Sequence, residues 1–415
     1  MNGAEHETIG GKAVEFLSGE PRFFWEQQKE LIKTASNFCD IFWPCEASNP
    51  AMLKKYPDWA LYCKIEQPDG KSIPLHSSFD PMTGEAFWKT YPWVLQKLAE
   101  GIFSALKDND LGLAAKFAGS FSHIVGDTGQ LAHIFDPRQM APFFLRRDET
   151  IHIHSKIETL DGISCPPNHH KPVCLGRNQT EFVWGTLQAL ALMRRNNQPL
   201  VFPLWDAVSR NDLKRARKIA GDVVGRCCAL FSDILFTVWC ITAGRIPAMP
   251  DKVCVCDLEY MDSECDGMYN GLPQIDGHPN PRVMVPLDVG EGEGRGIALL
   301  PHMYPDCQIL RQAWVEYLLP PGCFKTISFV CGLNKGTLNQ TAGIFEVLLD
   351  GEMIWASPVI DENSVPVHAE INLGNAAIVR LMVRDARGIS QAAETKFFHP
   401  VFHSVYLNRQ HSNKE

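Results

Sequence analysis

The hydrophobic period changes once along the chain, near residue 247, so the two sides must fold as different layer types. Before that point apolar residues recur at helical spacing in 11–18, 23–42, 87–106, 111–126, 181–195 and 211–243. Pro21 precedes an amphipathic helix, and Asn109-Asp110 reads as a helix start. After the Pro-marked stretch "RIPAMPDK" come short alternating runs: "RVMVPLDV", "VEYLLP", "KTISFVCGL", "GIFEVLLDGEMIWASPVI", "VHAEINL" and "AIVRLMVRDA". Strands of this length, punctuated by Gly, Asn, Asp and Pro, predict an all-β sandwich. The Asp350-Gly351 pair inside "LLDGEMIW" predicts a tight hairpin. The expectation is a multi-domain chain, an all-α helical domain over 1–247 followed by an all-β sandwich.

Length and charge limit the function classes. At 415 residues with 45% hydrophobic and 21% charged, the chain has enough apolar surface for two or three cores. Disordered, collagen-like and small disulfide-scaffold chains are excluded. A formal net charge of -9 provides no global basic field for nucleic acid or anionic lipid, though a local basic groove stays open. The most apolar run, "CALFSDILFTVWCITAG", holds 17 residues including Asp233. That is short of the roughly 20 that span a bilayer, so it is expected to be a buried bundle helix without stable membrane insertion. The first residues show no charged segment followed by an apolar one, which predicts either a cytosolic protein or a trimmed sequence. The 14 cysteines are too sparse for a stapled scaffold and offer no paired CxxC motifs. Mostly buried free thiols are expected, with one or two disulfides.

Histidine marks the chemistry, with eight of the 14 lying before residue 171. In "FSHIVGDTGQLAHIFD", His123 and Asp127 are four apart and share a helix face. His133 lies six further on, about 240° around and 9 Å along an unbroken helix, which would place it at a second metal. In "HIHSKIE", His154 and Glu158 form another four-spaced pair. One such pair is usually a solvated or capping pair. Two within 36 residues, with a histidine between, form a donor set suited to zinc.

The order His123-x3-Asp127-x5-His133, then His154-x3-Glu158, resembles the zinc-dependent phospholipase C and S1/P1 nuclease superfamily. "LHSSFDPMTGEAF" is similar to the stretch holding that family's isolated metal histidine, here His76. "GAEHETIGGKAVEFL" is similar to its opening helix, here with His6. The resemblance spans about residues 4–245. It implies three zinc ions in a helical cleft. His76, His123 and Asp127 would hold one, with an aspartate from the end of the second helix. His133, His154 and Glu158 would hold another, and His6 the third with Asp127 bridging. The extra aspartate, which would assist the attacking water, is Asp40 in "LIKTASNFCD" or Asp58 in "KKYPDW". The family's third zinc also uses the amine of an N-terminal Trp, whereas this chain opens Met1-Asn2-Gly3.

The implied activity is zinc-dependent hydrolysis of a phosphodiester, in a phospholipid head group or in nucleic acid. A nuclease would need aromatic side chains to stack a base. Phe79, Phe121 and Phe135 are candidates for either a base pocket or a lipid cleft. The resemblance also implies a secreted or cell-surface protein.

The second half has its own likeness. "GRGIALLPHM", "YLLPPGCFKTISFVCGL", "GIFEVLLDGEMIWASPVI" and "NAAIVRLMVRDARG" together resemble the NPCBM family of carbohydrate-binding jelly-roll modules. This likeness puts the module at 265–405, a linker at 248–264 and a tail at 406–415, and implies a glycan partner. A non-catalytic glycan-binding surface protein with structural metals is the alternative from another class. The loop "CPPNHHKPVC" carries Cys165, His169, His170 and Cys174 as a candidate metal or disulfide loop. "RNDLKRARK" reads as a solvated helix face, and "DVGEGEGRG" lacks the strand–helix context of a phosphate loop.

Overall fold

A computed structural model of the chain describes residues 3–42, 50–66, 70–75, 84–134, 153, 155–166, 170–264, 296–299, 312–333, 342–361, 363–386 and 400–409. The chain divides into two units, Met1–Ala248 and Met249–Glu415. The first is helical, the second a β sandwich.

The helical unit contains α1 (Gly3–Phe16), α2 (Gly19–Glu26), α3 (Lys29–Ala35), α4 (Phe38–Ile41), α5 (Pro50–Lys55), α6 (Trp59–Cys63), α7 (Gly84–Lys107), α8 (Leu111–Gly129), α9 (Gln179–Asn197), α10 (Val201–Ser209) and α11 (Leu213–Thr242). The short strands β1 (Lys64–Glu66) and β2 (Ser72–Pro74) pair antiparallel after α6. From Ala114 to Gly129 every residue of α8 except Lys116 is buried. A helix that is covered all round is a central one. Here α1, α3, α7, α9 and α11 pack against it. Among the described helices α11 alone is long and apolar enough to cross a membrane, and 72% of its apolar window is buried within the fold. Its apolarity is that of a core helix, as its embedded Asp233 suggested.

Local chemistry explains the helix ends. Asn109 and Asn211 both adopt a left-handed backbone, with φ of 57° and 60°. Asparagine tolerates this conformation better than most residues. The aspartate after each one caps the next helix. Asp110 accepts from Leu113 N at 2.8 Å, and Asp212 from Arg215 N at 3.1 Å. The helix expected over 23–42 is instead interrupted, at Gln27-Gln28 and again at Ser36-Asn37. The sequence pattern missed these breaks because the apolar spacing continues through them.

In the second unit β3 (Lys252–Cys254), β4 (Asp262–Glu264), β5 (Gly296–Ala298), β6 (Gln312–Leu318), β7 (Phe324–Leu333), β8 (Ala342–Leu349), β9 (Glu352–Ala356), β10 (Ile360–Asp361), β11 (Val367–Asn372), β12 (Ile378–Asp385) and β13 (Pro400–Arg409) form two antiparallel sheets. One has the order β10-β8-β12-β6-β4 with β9 beside β8. The other runs β11-β7-β13-β3 with β5 beside β13. Phe402 of β13 meets Phe345 of β8 at 5.1 Å, and Phe329 of β7 meets Trp355 of β9 at 5.3 Å, so the sheets face each other across an aromatic core. Burial alternates strictly along β6, the signature of a strand with one buried face. Asp350 and Gly351 turn β8 into β9 with φ of 50° and 87°, the double left-handed turn that an Asp-Gly pair favours.

Two sequence expectations are corrected, and two further segments fall elsewhere. Residues 252–254 and 262–264, expected as linker, pair into the two sheets through β3 and β4. Tyr406–Arg409, expected as tail, complete β13. The expected strand "RVMVPLDV" and the segment "DVGEGEGRG" up to residue 295 lie outside the described residues. Of the "RNDLKRARK" face, Arg210 and Arg215 pair with Asp206 and Arg217 pairs with Asp161, all on the surface.

Candidate metal centre

Three helices bring acid and imidazole groups to one place. His123 and Asp127 stand one turn apart on α8, His6 comes from α1, and Asp40 from α4. His123 Nε2 lies 3.2 Å from Asp127 Oδ2 and 3.7 Å from Asp40 Oδ1. His6 Nε2 lies 3.5 Å from Asp127 Oδ1 and 3.9 Å from Asp40 Oδ2. The two imidazoles stack at 4.1 Å. Both histidines are fully buried, Asp127 is 3% exposed, and Asp40 is 42% exposed. The cluster is therefore enclosed on three members and open to solvent at Asp40.

The break before α4 shapes this centre. Ser36 presents its carbonyl to His123 Nδ1 at 2.9 Å. A carbonyl only accepts, so Nδ1 carries the proton and Nε2 turns a lone pair toward the two carboxylates. Lone pair against carboxylate is unfavourable unless a proton or a cation stands between them. His6 adds a second demand, because neither of its ring nitrogens makes a hydrogen bond among the described residues. Burying such a group unsatisfied costs about 1–3 kcal/mol.

Burial pulls the His6 pKa down to about 3, helped by the neighbouring His123. Burial also acts against protonation of His123, but Asp127, with Cys39 and Asp40 behind it, outweighs this and pushes it up to about 10. A metal ion answers both demands at once. In a tetrahedral zinc site with bonds of about 2.1 Å the ligand atoms lie about 3.4 Å apart, close to the separations here. Among the described residues, His6, His123 and Asp127 form the group able to hold a metal ion.

His133 departs from the expectation for an unbroken helix. α8 stops at Gly129, Gln130 is extended with ψ of 121°, and Leu131–His133 form a 3-10 turn. The turn folds His133 back, so that its Nδ1 lies 4.0 Å from Asp127 Oδ1 and its Nε2 2.9 Å from Glu158 Oε1. Asp127 thus lies between the His6/His123 pair and the His133/Glu158 pair. Two residues of α9 hold the turn. Asn197 Nδ2 donates to the Gly129 carbonyl at 3.1 Å, and Arg194 Nη2 to the Ile134 carbonyl at 3.1 Å.

Other expected residues go elsewhere. Asp58 is not in the cluster: it precedes α6, pairs with Lys116 and accepts from Tyr62 OH at 3.3 Å. Phe121 is buried against Phe182 in the core and is not a cleft residue. His76, His154, His169, Phe79 and Phe135 lie outside the described residues.

Nothing in the local spacing points to Ser36, Arg194 or Asn197, or to a packing role for Gly126. Gly126 sits where His6 crosses α8. A Cβ there would stand 2.8 Å from His6 Nδ1 and 2.9 Å from its Cε1. Gly126→Ala is therefore expected to displace His6, lowering stability by about 1–3 kcal/mol and weakening any metal binding at the cluster. Urea unfolding and elemental analysis check this, and wild-type values in both would refute the packing account.

No protein of established function matches the chain in sequence. Among solved structures the chain is similar to alpha-toxin from an avian strain of Clostridium perfringens. The identity is 10% and the TM-score 0.30, over 93% of this chain and 83% of that one. It is also similar to CBM51 from Clostridium perfringens GH95 in complex with methyl-galactose, at 19% identity and a TM-score of 0.27, over 38% of this chain and 99% of that one. A third likeness is to CBM51-2 and INT domains of Clostridium perfringens ZmpB in complex with GlcNAc, at 12% identity and a TM-score of 0.26, over 38% of this chain and 31% of that one. Scores of this size carry no functional weight. In sequence, the NPCBM/NEW2 domain matches residues 312–403, within the β sandwich.

Proposed function

We propose that the helical unit is a zinc-dependent phosphodiester hydrolase of the phospholipase C type and that the β sandwich binds glycan. The observation that carries the first part is the enclosed His6/His123/Asp127 cluster with Asp40 at its open side. Such a concentration of imidazole and carboxylate inside a protein core is costly unless cations balance it. In this proposal His6, His123 and Asp127 would hold one ion, with His76 as a further ligand. His133, Glu158 and His154 would hold another. Zinc bound there supplies Lewis acidity, which neutralises charge building on phosphoryl oxygens and lowers the pKa of water.

The protein's own groups supply the rest. The Ser36 carbonyl keeps His123 in the tautomer that directs Nε2 inward. Asn197 and Arg194 hold the turn that returns His133 to Asp127. Asp40 is the solvent-facing carboxylate, placed to orient a water or take its proton. The glycan role rests on the domain match over residues 312–403, and secretion or surface display suits both activities.

Two assays separate the readings. Purified protein with its metal measured is offered a lecithin analogue, a generic phosphodiester and single-stranded DNA. Turnover of the lecithin analogue supports the phospholipase reading. Turnover of DNA alone transfers the site to a nuclease, and metal without turnover of any ester supports the non-catalytic alternative. A glycan panel tests the sandwich independently.

The aspartates give a sharper test. Asp40→Asn is expected to lower kcat by about 10²–10⁴-fold while most of the metal stays bound. Asp58→Asn is expected to leave kcat within about twofold and to cost at most about 1 kcal/mol of stability, since it loses only a partly exposed pair. If Asp58→Asn inactivates and Asp40→Asn does not, the role belongs to Asp58.

A further inference from the structure

Residues 161–166 and 170–176 lie along α11 as a strap. At one end Asp161 pairs with Arg217, its Oδ1 2.8 Å from Nη2. The Ser164 carbonyl crosses α11 at Gly221, where a Cβ would stand 2.6 Å from it. Further along, Asp233 Oδ1 meets His170 Nε2 at 2.7 Å and accepts from Val173 N at 2.8 Å. Leu175 N donates to Thr237 Oγ1 at 2.9 Å. Between Leu160 and Gly176 no described residue is buried. Polar contacts and no apolar core therefore hold the strap, which leaves it poorly secured by burial alone.

The strap carries Cys165 and Cys174, and Cys165 meets a cysteine of α11. Cys165 Sγ lies 3.9 Å from Cys228 Sγ. Cys174 instead donates to the Gly176 carbonyl, its Sγ 3.1 Å from the oxygen. Cys228 is buried and Cys165 is partly exposed. A disulfide needs an S–S separation of about 2.05 Å, so the two sulfurs must move together to bond.

We infer that the protein forms one disulfide, Cys165–Cys228, that staples the strap to α11. The oxidant is a small or protein disulfide of an oxidising compartment, such as oxidised glutathione. The exposed Cys165 thiolate attacks one sulfur of that disulfide and expels one thiol. The buried Cys228 thiol then attacks the mixed disulfide and expels the second. The staple thus consumes one external disulfide and releases two thiols, with two cysteine protons passing to them. Hydrogen bonding with Cys228 lowers the pKa of Cys165 and suits it to the attacking role. The bond adds constraint where burial is lacking. The inference is independent of the metal centre.

The test uses the full chain, equilibrated in a glutathione redox buffer, denatured in acid, alkylated and digested. The expected result is one linked peptide pair, Cys165 with Cys228. Alkylation of both cysteines, or a Cys165–Cys174 link within the strap, would overturn the inference. Reduction of the wild type is expected to lower Tm by roughly 5–10 °C. The Cys165→Ser variant should melt where reduced wild type melts and no longer respond to reductant. A wild-type Tm unmoved by reductant counts against a structural staple. Should the variant not fold, the peptide map of the wild type decides the matter alone.

Discussion

Asp127→Asn is expected to abolish phosphodiester turnover and release metal in a single step. The amide matches the carboxylate in shape, so packing is preserved and only charge and ligand character are lost. The position tolerates that loss poorly. One carboxylate oxygen lies 3.2 Å from His123 Nε2, and the other lies 3.5 Å from His6 Nε2 and 4.0 Å from His133 Nδ1. No other described carboxylate reaches all three imidazoles, and a side chain 3% exposed leaves little room for water to replace it. Losing the charge between cations removes several kcal/mol of transition-state stabilisation, or about 10³-fold or more in kcat/KM. Kinetics and elemental analysis on the same sample measure both effects. A variant that keeps its metal and turns over at the wild-type rate would remove Asp127 from the centre.

Chelation should be equally decisive. Dialysis against a strong chelator is expected to eliminate turnover and lower stability by roughly 4 kcal/mol relative to protein in free zinc at about 1,000 times its dissociation constant. Zinc should restore both. The pH dependence has a definite sign. Without the ion, burial holds His6 unprotonated, its pKa near 3, whereas His123 is pushed up to about 10, its carboxylate neighbours outweighing burial. The metal-free centre therefore holds one proton at neutral pH, on His123, which an ion must expel. Affinity is expected to rise with pH by about tenfold per unit through this range. Competition titrations at two pH values measure the slope, and a flat profile would show that metal enters without displacing that proton.

Some features were legible because they are local. The Asp110 cap, the Asp350-Gly351 hairpin and the four-residue spacing of His123 and Asp127 each lie within one turn of chain, where backbone geometry leaves few alternatives. The helical and β halves were legible from hydrophobic period. The failures share a cause. Ser36-Asn37 interrupts a stretch whose apolar spacing runs on, and Gln130 turns the chain just past the end of α8, yet nothing within a turn of either site demands the break. The breaks are met from a distance. Asn197 and Arg194 take up the carbonyls of Gly129 and Ile134, while His123 takes up that of Ser36.

The sequence by itself therefore determined the two fold types and the pairing of His123 with Asp127, since hydrophobic period and the i,i+4 relation follow from backbone repeat alone. Only the tertiary structure decided that Asp40, and not Asp58, reaches that pair, that His6 stacks on His123, and that His133 returns toward Asp127. Those outcomes depend on helix packing between residues far apart in the chain. The missing Cβ at Gly126 leaves room for His6, Lys116 engages Asp58, and Asn197 and Arg194 hold the turn that carries His133, none of which is visible in local spacing.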